Sequence, residues 1–414
     1  QLDWATLFRR LHLNTDSLVL GQPKFMEQLN KLMEELPAET WTHYLRFHTA
    51  NSFAKYMHPE AESLRFAFYG TELSGKTEME PRWQRMVSVS DELLRDLLGQ
   101  EYVKKHFDEQ AKSRALALVE NLKKALGSRL SNLDWMGDTT RAAALEKLDK
   151  MMVKIGYPDQ WRSYEGLELK EQHLVLNYQT AHAFEFDRMA KKLGQEVDRS
   201  EWFMGPQTVN AYYNPTLNEI VFPAAILQPP FFFAEGDDAV NYGGIGMVIG
   251  HELTHGFDDQ GRQFDAEGNL RSWWTKADEQ RFNTKASRFV QHYNGYEPLP
   301  GVFINGELTQ GENIADLGGM LIAWDAFKIS SKGQSGEPVD GFSPEQRFFL
   351  SFAQIWRGHD KDAYLEQKLY TDPHSPGKYR VIGVLSNFPA FYEAFKVNEG
   401  HKLWLPDSAR CTMW

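Results

Sequence analysis

Apolar residues recur at helical spacing through the first part of this chain. Between Thr139 and Ile155, the residues Ala143, Leu145, Leu148, Met151 and Met152 fall on one side of a helix, and Gly156 and Pro158 follow as a stop. The pattern predicts a helix over that whole span. Leu93, Leu94, Leu97 and Leu98 mark a second amphipathic helix, predicted to end near Gly99, while Asp134 and Asp138 offer N-cap side chains. From Gln1 to about Tyr164 the chain therefore reads as a helical bundle.

The pattern loosens between Tyr157 and Arg199, where Gly156-Tyr157-Pro158 and Gly166 punctuate it. A domain boundary is expected there, separating a helical lid or scaffold, residues 1–170, from residues 171–414. Two cores suit a chain of 414 residues. In the second part, Tyr212, Tyr213, Ile220 and Val221 flank a turn at Asn214-Pro215-Thr216, which predicts a hairpin at the edge of a small sheet. An exposed sheet edge can pair with an extended peptide. Gly243 to Gly256 then reads as a helix. The expected fold is mainly α, of the α+β class.

Composition narrows the partners. With 42% hydrophobic and 25% charged residues the chain is that of an ordinary globular protein. Its 45 basic and 57 acidic residues give a net charge of -12, which argues against nucleic acid. The short basic pairs Lys123-Lys124 and Lys191-Lys192 read as solvated helix faces. Cys411 is alone, so neither an intrachain disulfide nor a cysteine-rich metal cluster is expected. The longest apolar stretches, Ile220 to Ala234 and Gly318 to Trp324, are broken by prolines or too short to span a bilayer. A start at Gln1, without a methionine or a signal-like segment, reads as processed or truncated, with an upstream segment expected to pack against this chain.

One motif carries chemistry. His251-Glu252-Leu253-Thr254-His255 is H-E-x-x-H, and on a helix residues four apart are offset by only about 40° and one turn. Both imidazoles then face one point, where Zn²⁺ takes such nitrogens at about 2.0 to 2.1 Å and keeps a position for water. With 13 histidines, roughly a few per cent of chains of this composition would carry the motif by chance, so context matters. The glycine-bounded apolar segment Ile245 to Gly250 reads as a buried active-site helix. Downstream, Gly311-Glu312-Asn313-Ile314-Ala315-Asp316-Leu317-Gly318-Gly319 places Glu312 and Asp316 four apart on another predicted helix. Glu312 is the expected third ligand, and Asp316 the carboxylate that accepts a ligand histidine's second N–H.

These stretches, with the Gly256-Phe257-Asp258 that follows the motif, resemble the neprilysin and endothelin-converting-enzyme family of zinc metallopeptidases. Asn210-Ala211-Tyr212-Tyr213, Phe222-Pro223-Ala224, Ser386-Asn387-Phe388 and Trp414 extend the likeness, and Trp135-Met136 and Val153-Lys154-Ile155-Gly156-Tyr157-Pro158 carry it weakly into the helical part. The resemblance implies a helical domain joined to a thermolysin-like catalytic domain with a small sheet. It implies one Zn²⁺ held by His251, His255 and Glu312, Glu252 as general base, and Asp316 bonded to a ligand histidine. It further implies Asn210 and Ala211 as backbone holders of an oligopeptide substrate, Arg380 on a substrate carbonyl and His374 on the oxyanion. Phe231, Val248 and Trp356 would receive a large apolar side chain after the scissile bond, and Asp258 would orient a ligand histidine or the helix end.

By the same resemblance the chain lacks roughly the first third of a family member and is expected outside the cytoplasm. Cys411 stands where animal relatives carry a disulfide-bonded cysteine, which points to a bacterial-type member. The rival function is a peptide-binding scaffold that keeps the fold without turnover. A third, a zinc hydrolase of non-peptide esters, would be separated by assaying both substrate types.

Overall fold

Where the motif helix crosses its partner, glycines replace side chains. The helix Met247–His255 and the helix Gln310–Ser330 meet backbone to backbone: a Cβ on Gly250 would lie 2.6 Å from Gly319 O, and one on Gly319 would lie 2.5 Å from His251 N. Real Cβ atoms do not approach so closely, so only glycine permits this contact. Gly318 makes a similar approach to Thr254 and Trp414. Eight of the nine residues of the first helix, Met247 to Thr254, are buried.

These helices belong to a computed structural model that describes residues 3–330 and 336–414. Gln1, at the start of the predicted bundle, lies outside the described residues. The chain divides into two compact units, one formed by Gln1–Leu94 and Arg162–Arg199, the other by Arg95–Trp161 and Ser200–Trp414.

The first unit is helical: Trp4–Arg10, Pro23–Glu35, Ala38–Phe53, Pro59–Phe66, Arg82–Leu93 and Leu174–Ala190. Tyr178 of the last helix packs its ring on Phe53 and Tyr56 and donates its hydroxyl to Glu92. Helices Pro23–Glu35 and Ala38–Phe53 bury none of their residues.

The second unit begins with Arg95–His106. The leucines at 93–98 therefore belong to two helices with a break at Leu94, and Gly99 does not end the second. Its glycine serves close approach instead, since a Cβ there would stand 2.7 Å from Pro206. Helix Glu109–Ser131, capped by Asp108, buries one stripe that runs from Ala111 through Leu118 and Leu122 to Leu130.

The next helix, Asp138–Lys150, is shorter than its apolar pattern predicts. Met152–Gly156 leaves it to form β1, because Val153 and Ile155 find a parallel partner in β3, Glu219–Pro223. The helix is capped by Gly137, not by Asp134 or Asp138, and Gly137 N donates to Asp278 Oδ1 at 2.9 Å. Gly156 ends β1 at φ +84°, where a side chain would strike Phe107.

The predicted hairpin is present. β2, Tyr212–Asn214, pairs antiparallel with β3, with Tyr213 opposite Ile220, and the order β1–β3–β2 leaves β2 on the edge. Asn214 shapes the turn by accepting from Thr216 N at 3.1 Å. Among the described residues the fold is thus mainly helical with one three-stranded sheet. The predicted Gly243 to Gly256 span is helical as far as His255, with Gly256 as its C-cap, the Tyr242–Gly246 turn being wound as a π-helix before Met247–His255.

At the C-terminus, Cys411 is buried and free, and its N–H donates to Asn387 Oδ1 at 2.6 Å. Trp414 packs against Phe257 and Trp135, close behind the motif helix. Among the described residues no helix is long and apolar enough to cross a membrane.

Candidate metal centre and cleft

The glycine crossing sets the metal site. With the two helices at backbone distance, Glu312 in the first turn of one reaches the two imidazoles on the other. His251 Nε2 and His255 Nε2 lie 2.9 Å apart, and Glu312 Oε2 is 3.2 Å from the first while its Oε1 is 3.7 Å from the second. The ligand atoms of these three residues all fall within 4.8 Å of one another.

Each imidazole is held from behind. His251 Nδ1 donates to Asp316 Oδ1 at 2.9 Å and His255 Nδ1 donates to Asp258 Oδ2 at 2.6 Å. That arrangement leaves both Nε2 lone pairs pointing at the common centre. Glu312 Oε2 is buried and accepts no hydrogen bond among the described residues, although it faces those nitrogens. Two imidazoles held from behind at Nδ1 and one carboxylate, all turned to one point, are a donor set that would fit a zinc ion with an open position.

Charge agrees with this geometry. Burial alone would raise the Glu312 and Asp316 carboxyls, yet the nearby His251 imidazole holds Glu312, and the Arg380 guanidinium holds Asp316, below the usual carboxylate range. Arg380 donates to Asp316 through Nε at 2.7 Å and Nη2 at 2.5 Å, and its guanidinium lies 3.8 Å from the Trp356 ring centre. Glu252 is buried beside His251, and burial pushes its carboxyl upward.

A cleft of about 790 Å³ opens over this centre. Its walls bring together His251, Glu252, His255, Glu312, His374, Arg380, Asn210, Ala211, Phe231, Val248 and Trp356, which come from widely separated parts of the chain. Asp316 does not line it and stands behind His251. Ala211 and Val248 are buried, whereas Asn210 is exposed, its Oδ1 accepting from Ala211 N at 2.9 Å. His374 sits with Nε2 3.3 Å from Glu312 Oε1.

Two supports were not anticipated in the sequence. Asp372 accepts from His374 at both the backbone N–H, 2.9 Å, and Nδ1, 2.7 Å; its place two residues ahead of the histidine was the available signal. Lys147 is wholly buried and donates to Gly261 O and Phe264 O, both at 2.7 Å, so it pins the turn that carries Asp258. Burial pulls its pKa down to about 7, against the pull of the Asp258 and Asp265 carboxylates. A lone lysine in a helix offers no local sign of that task.

The fold and the site define a mainly helical protein whose H-E-x-x-H helix and Glu312 form a candidate metal site in a cleft beside an edge strand. The chain belongs to Peptidase family M13, whose models match residues 1–158 and 210–411. Neprilysin-11 of Caenorhabditis elegans is 35% identical over 100% of this chain and 51% of its own length, and human endothelin-converting enzyme 1 is 36% identical over 99% and 54%. Among solved structures, a Mycobacterium tuberculosis zinc metalloprotease bound to an inhibitor superposes with a TM-score of 0.93 at 44% identity, covering 96% of this chain and 61% of that one. PepO from Lactobacillus rhamnosis gives 0.81 at 33% identity, over 88% and 56%. The chain spans about half the length of the curated relatives it matches.

Proposed function

We propose that the protein is a zinc-dependent endopeptidase that cleaves oligopeptides ahead of large apolar residues. The observation that carries this reading is the His251, His255 and Glu312 group, set in one cleft with the edge strand β2. A peptide can add to that edge as a further strand, with Asn210 and Ala211 at its start. Phe231, Val248 and Trp356 offer an apolar wall to the side chain after the cut.

His251, His255 and Glu312 would hold the ion, which would supply Lewis-acid chemistry at the scissile bond. Glu252 takes the proton of the attacking water and returns it to the leaving amine. Asp316 and Asp258 keep both imidazoles in the metal-binding tautomer. His374, oriented by Asp372 at Nδ1, presents Nε2 as the donor to the tetrahedral oxygen. Arg380 is committed through two nitrogens to Asp316 and stacked on Trp356, so it meets a substrate carbonyl as a fixed donor.

Family membership supports a place outside the cytoplasm. The exposed apolar side chains of the helical unit, Val19, Phe25, Phe47 and Trp83 among them, are a surface that the additional length of the relatives would cover.

Replacing Glu252 by Gln tests the reading. The variant should keep its zinc and lose about 10² to 10⁴ in peptide cleavage. Cleavage equal to the unsubstituted protein would overturn it, and peptide binding without cleavage by the unsubstituted protein would favour the scaffold alternative. A peptide library cut with and without chelator checks the preference for apolar residues after the scissile bond.

A further inference from the structure

Glu312 and His374 face the cleft together, and the residue after each of them turns into the core, where the two meet. Ser375 Oγ donates to Asn313 Oδ1 at 2.8 Å, and Asn313 Nδ2 donates to Thr309 Oγ1 at 2.9 Å. Asn313 is wholly buried, and Ser375 and Thr309 are each 3% exposed. On a helix, neighbouring side chains diverge by about 100°, which is why Glu312 can enter the cleft while Asn313 leaves it.

The imidazole itself is 45% exposed and is held by Asp372, two residues away in its own loop. That bond orients the ring within the loop but does not fix the loop against the helix that carries Glu312. The Arg380–Asp316 pair joins the same two segments farther along the chain. The tie adjacent to the imidazole is the buried serine–asparagine bond.

We infer that Ser375, through Asn313, is a positioning residue that sets the distance of the His374 imidazole from the metal centre and thereby its reach to the tetrahedral oxygen. The inference rests on the peptidase reading above. A donor displaced by about 1 Å can cost as much as 10²-fold in rate, so a partial loosening should be visible in turnover. Because the hydroxyl touches neither a metal ligand nor the apolar wall, metal affinity and substrate KM should not follow.

The test is a double-mutant cycle with Ser375→Ala and His374→Ala, read as kcat and KM on one peptide, with zinc affinity measured by chelator competition. Ser375→Ala alone should lower kcat by about tenfold, leave KM and zinc affinity within twofold, and weaken a phosphonate transition-state analogue in parallel with kcat. In the His374→Ala background the same substitution should have no further effect on kcat. A kcat within twofold of the parent, or a tenfold loss that persists without the imidazole, would overturn the inference. Should Ser375→Ala not fold, Ser375→Cys, whose thiol is a weaker donor, goes through the same cycle with the same criteria. Failure of the peptidase reading looks different, since the parent protein would then show no Glu252-dependent cleavage to perturb.

Discussion

The helix Met247–His255 and the helix Ala38–Phe53 both carry bulky apolar residues, yet the first buries all but His255 and the second has no fully buried residue, only Trp41 and Phe53 among its large apolar side chains being half-buried. Trp41, Tyr44, Leu45, Phe47 and Phe53 would ordinarily be read as core. The difference lies in the partner. Gly250 and Gly319 let two helices approach until backbone meets backbone, and that approach delivers Glu312 to the histidines. Ala38–Phe53 has no such counterpart among the described residues of its unit. Apolar content sets what a helix can bury; a close-fitting partner decides what it does bury.

Breaking the glycine contact should therefore have the largest effect. In Gly250→Ala the new methyl would lie 2.6 Å from the carbonyl oxygen of Gly319, a backbone atom that cannot rotate away. The helices must separate, at a cost of about 3 kcal/mol or more. Thermal unfolding should show that loss, and zinc affinity should fall with it because Glu312 retreats from the imidazoles. A stable variant with parental zinc affinity would mean that the crossing does not set the site.

How much of this was legible beforehand follows the range of each interaction. The pair His251 and His255, and the pair Glu312 and Asp316, are helical neighbours, so local period exposes them. The hairpin was legible from Asn214-Pro215-Thr216 for the same reason. β1 was not: its residues continue a helical pattern, and only pairing with Glu219–Pro223, distant in sequence, turns them into a strand. Gly99 and Gly250 look alike as letters, and only the neighbour reveals that each serves an approach. The bond between Ser375 and Asn313 spans 62 positions and has no periodic signature.

Asp278 tests an intermediate case, two helices joined by polar groups instead of bare backbone. Wholly buried, it accepts from Thr140 Oγ1 at 2.6 Å, Thr275 Oγ1 at 2.6 Å, Gly137 N at 2.9 Å and Arg281 Nη2 at 2.6 Å, and so ties Asp138–Lys150 to Lys276–Asn294. Burial alone would raise its carboxyl, but these donors hold it well below the usual range. A depressed carboxylate contributes stability that is present above the unfolded-state value, about 4, and is lost as pH falls through the folded-state value. Asp278→Asn should cost about 1 to 3 kcal/mol at neutral pH by denaturant titration. It should also flatten the acid limb of the stability profile. An unchanged acid limb would assign that limb to other carboxylates.

The smallest effect is expected on the exposed side of the comparison. Leu45 and Phe47 are 60% and 63% exposed, so little of their surface leaves water on folding and little burial energy can be lost with them. Leu45→Gln and Phe47→Ser should each change unfolding free energy by less than about 0.5 kcal/mol, the ordinary range for surface positions. Their sign carries the information. Removing an apolar side chain from water helps solubility without weakening the fold, so dilute and concentrated samples of the variants should melt alike. If either substitution cost more than about 1 kcal/mol, and the cost grew with protein concentration, the helix would be covered in solution by another copy of the chain. The contrast with Met247–His255 would then concern where the partner comes from, and no longer whether one exists.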